Sequence, residues 1–171
     1  MKSMKRITVR YRRKREGKTN YKKRLELLKG RIDRLVVRKT NTQLIIQVAR
    51  YEADGDKILL TVNSNELKKL GWKHSCKNIP AAYLAGLLAA KSAKQKNITH
   101  AILDLGLQTP LRGSKLFAVL KGAKEGRLEI PANEEVYPTD ARIKGEHISS
   151  YLESHKSIGE DLDKIKKEIL K

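Results

Sequence analysis

IDRLVVRKTNTQLIIQVARYEADGDKILLTV, residues 32–62, contains three β-branched runs separated by two polar turns. The runs are Ile32–Lys39, Leu44–Tyr51 and Lys57–Val62, and the turns are Thr40-Asn41-Thr42 and Asp54-Gly55-Asp56. Short apolar runs of this length fit strands, and an Asp-Gly pair between two of them is a strong hairpin signal because both residues tolerate positive φ. Three strands joined by tight turns predict an antiparallel meander. Downstream the period changes. Asn78 can cap a helix whose first turn accepts Pro80, and Ile79, Tyr83, Leu84, Leu87 and Leu88 then recur at helical spacing until the polar stretch 91–97. Ala81, Ala82, Ala85 and Gly86 keep the rest of that helix thin enough to pack closely on a sheet. His100–Leu105 reads as a short buried strand, and Gly113-Ser114 opens a second helix with Leu116, Phe117 and Leu120 inward and Gly126 as its stop. Leu128–Ile130, closed by Pro131, fits a last edge strand.

The order β-β-β-α-β-α-β predicts an α/β fold, a mixed sheet with an antiparallel three-strand start and a βαβ continuation. Ile158, Leu162, Ile165 and Ile169 form a helical stripe in a Lys/Glu background, which predicts a docking helix near the C-terminus. The expected organisation is a basic arm over 1–30, an α/β core over 31–131 and a helical extension over 132–171.

Charge points to the partner. The 171 residues carry 38 Lys+Arg and 19 Asp+Glu, a net +19. Residues 1–40 hold 17 basic and 3 acidic side chains, whereas residues 121–171 hold 10 and 11. Such a field repels itself unless a polyanion neutralises it. The arm includes Lys2, Lys5, Arg6, Arg10, Arg12, Arg13, Lys14, Arg15, Lys18, Lys22, Lys23 and Arg24, interleaved with Tyr11 and Tyr21. One reading is a solvated basic tail. The sharper one is a segment ordering on a phosphate backbone, with arginine forks on phosphates and tyrosines stacked on bases. A membrane surface fits poorly, because an interfacial helix needs an apolar face of Leu, Phe or Trp that residues 1–24 lack. The longest nearly uncharged apolar run, Ile79–Ala90, is twelve residues, where a span needs about 20. With a single cysteine, Cys76, no internal disulfide can form. The chain reads as soluble and intracellular.

Catalysis finds little support. There is no GxxxxGK[ST] loop and no GxGxxG after a strand. His74 and Cys76 lie close together but fall short of a structural zinc ligand set, and His100, His147 and His155 are scattered. No cofactor is expected. Asp104 sits in an apolar strand, where a metal nuclease on a similar sheet would want a carboxylate. Two-metal chemistry needs several converging carboxylates, so Asp104 is expected to accept hydrogen bonds from a loop or helix start. An architectural DNA-binding protein is the third class considered, but the arm lacks apolar wedges.

Two segments extend the basic footprint. Arg34 and Arg38 alternate with Val36 on one face of the first strand, and Arg38-Lys39-Thr40-Asn41 forms the first turn. Between the predicted strand at His100–Leu105 and the next helix, Arg112-Gly113-Ser114-Lys115 offers two amides at a helix start beside two cations, a plausible phosphate seat.

These residues resemble the archaeal form of the large-subunit ribosomal protein eighteen family. The similarity lies in Tyr11–Tyr21, Arg24–Leu28, Arg34–Asn41, Gly71-Trp72, Asn78–Leu88, Leu103–Leu107, Gly113–Ala118, and Ile130-Pro131 through Ile148, in register over roughly residues 10–152. Residues 156–171 match nothing in it. The resemblance implies a non-enzymatic protein of the cytoplasmic ribosome that binds 5S rRNA and seats it on the large-subunit rRNA in the central protuberance, beside neighbouring ribosomal proteins. It also implies a body of translational-machinery-component topology, related to ribonuclease H-like folds but without their carboxylate cluster. By matching position it assigns RNA contact to Tyr11, Arg12, Arg13, Lys14, Arg15, Lys18, Thr19, Tyr21 and Arg24 of the arm. On the strand and hairpin it adds Arg34, Arg38, Lys39, Thr40 and Asn41, and on the later loop Arg112, Gly113, Ser114 and Lys115.

Overall fold

Alternating burial along residues 34–63 produces three strands, β1 (Arg34–Lys39), β2 (Leu44–Arg50) and β3 (Lys57–Asn63). The computed structural model describes residues 8–170, so Lys2, Lys5 and Arg6 of the expected arm lie outside the described residues. Two short helices precede the strands, α1 (Arg12–Arg15) and α2 (Tyr21–Lys29). β1 and β2 pair antiparallel with Arg34 opposite Ala49 and Lys39 opposite Leu44. β2 and β3 pair antiparallel with a register shift at Val48/Ala49. β4 (Ile102–Asp104) lies parallel to β1, giving a mixed four-stranded sheet in the order β3-β2-β1-β4. The expected final strand at 128–130 amounts to a single parallel bridge between His100 and Glu129. Pro131 limits it, because a proline brings no N–H to a ladder.

One sheet face presents Leu35, Val37, Ile46, Val48, Leu60 and Val62, all buried. Against it pack α3 (Ile79–Gln95) and α4 (Lys115–Glu125). Asn78 starts α3 as expected, its side chain accepting from the Ala81 N–H at 2.8 Å. Gly86 has a different partner from the one expected. A Cβ there would lie 2.1 Å from the Val119 carbonyl oxygen of α4, and one at Gly122 would lie 2.1 Å from the Tyr83 carbonyl oxygen of α3. The small residues thus bring two helix backbones together. Gly126 belongs to the same contact: its φ is −74°, and a Cβ would meet that of Ala90 at 2.4 Å. The left-handed residue after α4 is Arg127, at φ 68°.

Beyond the sheet, α5 (Asp140–Lys144) and α6 (Glu146–Ser149) lead to α7 (Ile158–Leu170). The predicted stripe Ile158, Leu162, Ile165 and Ile169 is buried, and α7 docks on α3. Burial of each such side chain contributes about 1.5–3 kcal/mol. Polar contacts set its register. Glu125 accepts from the Tyr83 hydroxyl and pairs with Lys166 Nζ at 2.5 Å. On the other side His74 Nδ1 lies 3.0 Å from His155 Nδ1, and His74 Nε2 lies 3.0 Å from Asp161 Oδ2. His155, expected to stand alone, therefore joins His74 across 81 residues of sequence.

Burial pushes the Tyr83 hydroxyl up to about 12. For Glu125 burial acts upward too, but the hydrogen bonds from Lys166 and Tyr83 outweigh it and hold the carboxyl below its ordinary range. A carboxyl lowered in the folded state contributes stability that is present above its unfolded pKa and is lost as pH falls through the folded one. Between pH 5 and pH 3, wild type should therefore lose more stability than Glu125→Gln, as read by urea unfolding at each pH.

Candidate nucleic-acid interface

The second sheet face lies away from α3 and α4. Arg34, Val36 and Arg38 of β1 share it with Gln47 of β2 and Thr61 of β3, whose side chains bond at 3.1 Å. The N-terminal helices approach this face. In the arm, α1 folds back on itself through Arg12–Glu16 and Lys18–Glu16 ion pairs at 2.8 and 2.9 Å, and through Arg13 Nε donating to Thr19 Oγ1 at 2.8 Å. Gly17, at φ 64°, makes the reversal that residues with a side chain resist. Asn20 then caps α2 by accepting from the Lys23 N–H at 3.1 Å.

No residue of α2 is buried. It stands off the sheet and leaves a groove of about 640 Å³ whose rim includes Arg13, Lys18, Lys23, Arg38 and Lys39 and whose floor includes Val36 and Gln47. Carboxylates near the groove are already engaged by arginines. Asp56 pairs with Arg24 at 2.8 Å and with Arg34 at 2.7 Å, and Asp104 pairs with Arg34 at 2.9 Å. Among the described residues Arg38, Lys39 and Lys23 have no carboxylate partner within ion-pair distance. Such uncompensated cations around an open cleft focus positive potential into it.

Of the residues expected to meet RNA, the groove gathers Arg13, Lys18, Thr19, Arg24, Arg34, Arg38 and Lys39. Arg34 corrects an expectation: although it is on the predicted face, it is 2 % exposed, enclosed by Asp56 and Asp104. Tyr11, Arg12, Lys14 and Arg15 belong to the α1 segment outside the groove lining, and the rings of Tyr11 and Tyr21 pack on each other with centroids 5.2 Å apart. Thr40 is engaged within its own turn, its hydroxyl donating to the Gln43 carbonyl at 2.9 Å and accepting from the Gln43 N–H at 3.0 Å, while Asn41 is exposed at the tip.

The second cluster differs from its expectation in one respect. The Gly113 and Ser114 amides, expected to be free, donate to the Val136 and Leu111 carbonyls at 2.9 and 3.3 Å. What remains is cationic side chains. Burial lowers the Lys115 ammonium, and the like charges of Lys77 and Lys39 lower it further. The start of α4 therefore lies within electrostatic range of the first hairpin's Lys39. Lys77 carried no motif in the sequence and acquires a role from where the chain folds, while Lys23, expected only as part of the basic arm, is placed at the groove. The nuclease alternative loses its carboxylate, since Asp104 is occupied by Arg34 and by the Gly106 N–H at 2.9 Å. Among the described residues no group of three or more His, Cys, Asp or Glu is placed to hold a metal ion, and no helix is long and apolar enough to cross a membrane.

Comparison with known proteins follows the same line. Residues 5–100 match the family described as ribosomal large subunit proteins 60S L5 and 50S L18. The chain is 47% identical over 148 residues to the large ribosomal subunit protein uL18 of Korarchaeum cryptofilum, covering 86% of this chain and 76% of that one. It is 44% identical over 169 residues to the uL18 of Methanoregula boonei, covering 96% and 97%.

Proposed function

Because the chain belongs to the uL18 family of large ribosomal subunit proteins, we propose that it binds 5S rRNA in the groove between its N-terminal helices and the open sheet face, and anchors that RNA to the large-subunit rRNA in the central protuberance. The family is one of structural ribosomal proteins and not of enzymes, and membership puts the chain in the ribosome with rRNA and ribosomal proteins as partners. The cytoplasm is the compartment we assign.

The observation that carries the reading is the groove rimmed by Arg13, Lys18, Lys23, Arg38 and Lys39. Its cations suit phosphates, and sequence is read there from an unstacked loop or bulge, because the A-form major groove is too narrow for side chains to read. Arg12, Lys14 and Arg15, exposed on α1, and Tyr11 and Tyr21 extend the contact along the arm. Arg112 and Lys115 form a second phosphate contact through their side chains, with Gly113 and Ser114 shaping the loop and Thr40 and Asn41 the hairpin tip. The sheet order β3-β2-β1-β4 supports a body of translational-machinery-component topology. We divide the chain into a basic arm over 1–30, a core over 31–131 and a helical extension over 132–171.

The test is binding of the purified chain to 5S rRNA at about 0.2 M salt, where non-specific attraction is weak, against transfer RNA and duplex DNA in equal nucleotide amounts. Retention of 5S rRNA supports the proposal; displacement by any polyanion overturns it. In the same assay Arg38→Ala should weaken binding roughly tenfold, as expected for one charged hydrogen bond, while Lys91→Ala should change it less than about twofold.

A further inference from the structure

A cationic arm beside a cationic groove should swing away from it. α2 has only a shallow apolar anchor against this, since none of its residues is fully buried, Leu27 and Leu28 are half-buried and Leu25 is 58% exposed. Its side-chain hydrogen bonds to the body converge on two consecutive residues. Arg24 Nη2 donates to both oxygens of Asp56 at 2.8 and 2.9 Å, and Lys23 Nζ donates to the Gly106 carbonyl at 3.2 Å. These two contacts are ends of one circuit. Asp56, in the turn between β2 and β3, lies 2.7 Å from Arg34 Nη2; Arg34 Nη1 donates to Asp104 Oδ2 at 2.9 Å. Asp104 Oδ1 accepts from the N–H of Gly106 at 2.9 Å, and the carbonyl of that same residue receives Lys23. The circuit leaves α2 at Arg24, passes under the groove through a strand residue that is 2 % exposed, and returns to α2 at Lys23.

We propose that the chain Arg24–Asp56–Arg34–Asp104 is a positioning device that holds the arm closed over the sheet before RNA arrives, with Arg24 bound to protein and not to phosphate. The two carboxylates face two arginines, so the cluster is neutral where the surrounding surface is positive. Holding the arm in place before binding removes the ordering cost that a free basic tail meets on its ligand. Arg24 and Arg34, both counted among RNA contacts by position in the sequence, become positioning residues. Closure stands independently of the ligand; the effect on affinity rests on the 5S rRNA reading above.

Asp56→Asn in the full chain separates this proposal from simple electrostatics. The change raises the net charge by one, so counterion release alone predicts equal or tighter RNA binding. The positioning role predicts the opposite, a roughly tenfold loss of 5S rRNA affinity, the size of one charge-assisted contact. Amide hydrogen exchange of the free protein should show protection lost over residues 12–29 and unchanged in α3 and α4, and Asp56→Glu should restore part of both. Unchanged exchange in the arm overturns the closure. Lost protection with undiminished affinity overturns the positioning role. If wild type shows no preference for 5S rRNA, the proposed function fails, and arm exchange in free Asp56→Asn still decides the closure.

Discussion

Gly122→Ala should destabilise the folded chain by about 3 kcal/mol, the upper end of what overpacking a core typically costs. On an exposed helix face the same substitution stabilises by about 1 kcal/mol, because alanine loses less backbone freedom than glycine. Here the new methyl would sit 2.1 Å from the Tyr83 carbonyl oxygen and 3.1 Å from the Leu87 nitrogen. Both are backbone atoms of α3, and no rotamer change moves them aside. α3 and α4 must separate, and contacts made by Leu84, Leu87, Val119 and Leu120, all buried, loosen together. Gly86→Ala meets the reciprocal obstacle at the Val119 carbonyl and should cost a similar amount. Guanidinium unfolding followed through buried Trp72 supplies the midpoint. A midpoint at or above that of wild type would mean that the two backbones are not in contact.

Arg34→Met should destabilise by about 3 kcal/mol, the cost of removing one partner from a buried ion pair. Methionine fills a similar volume but leaves Asp104, with a side chain 13% exposed, without the cation that pairs with it. Asp56 suffers less, since it is more exposed and keeps Arg24. The discriminating variant is Arg34→Met combined with Asp104→Leu. Replacing both members of a buried pair by apolar groups is often neutral or better, so the double variant should recover most of the loss. Equal instability of the single and double variants would show that packing around the guanidinium, and not the stranded carboxylate, is what Arg34 contributes.

Much of the local architecture was legible before any coordinates. The Asp54-Gly55 turn, the Asn78 cap and the stripe ending at Ile169 each depend on residues within a few positions of one another, and each appears where the pattern puts it. Even the face of Arg34 was readable, because strand alternation is a local property. Its burial was not, since that depends on Asp56 and Asp104 arriving from other elements. Gly126 does end α4, as expected, but at φ −74° and not in the left-handed conformation usual for glycine there; only the approach of Ala90 reveals the close contact that excludes a side chain. The amides of Gly113 and Ser114 looked free because the carbonyl that engages Gly113, at Val136, is remote in sequence.

The amino-acid sequence by itself determined the strand-rich first half, the helices and their caps, the concentration of positive charge near the N-terminus, and the family. The family rests on matched motifs; the rest follows from periodicity, turn chemistry and composition, which act over short distances along the chain. Tertiary structure alone decided which cations stay available and which are held by protein. Arg24 reaches Asp56 across 32 residues and Arg34 reaches Asp104 across 70, while Arg38 and Lys39, farther along the same strand as Arg34, have no carboxylate partner among the described residues. Coulomb attraction depends on distance in space, and only the folded chain sets that distance.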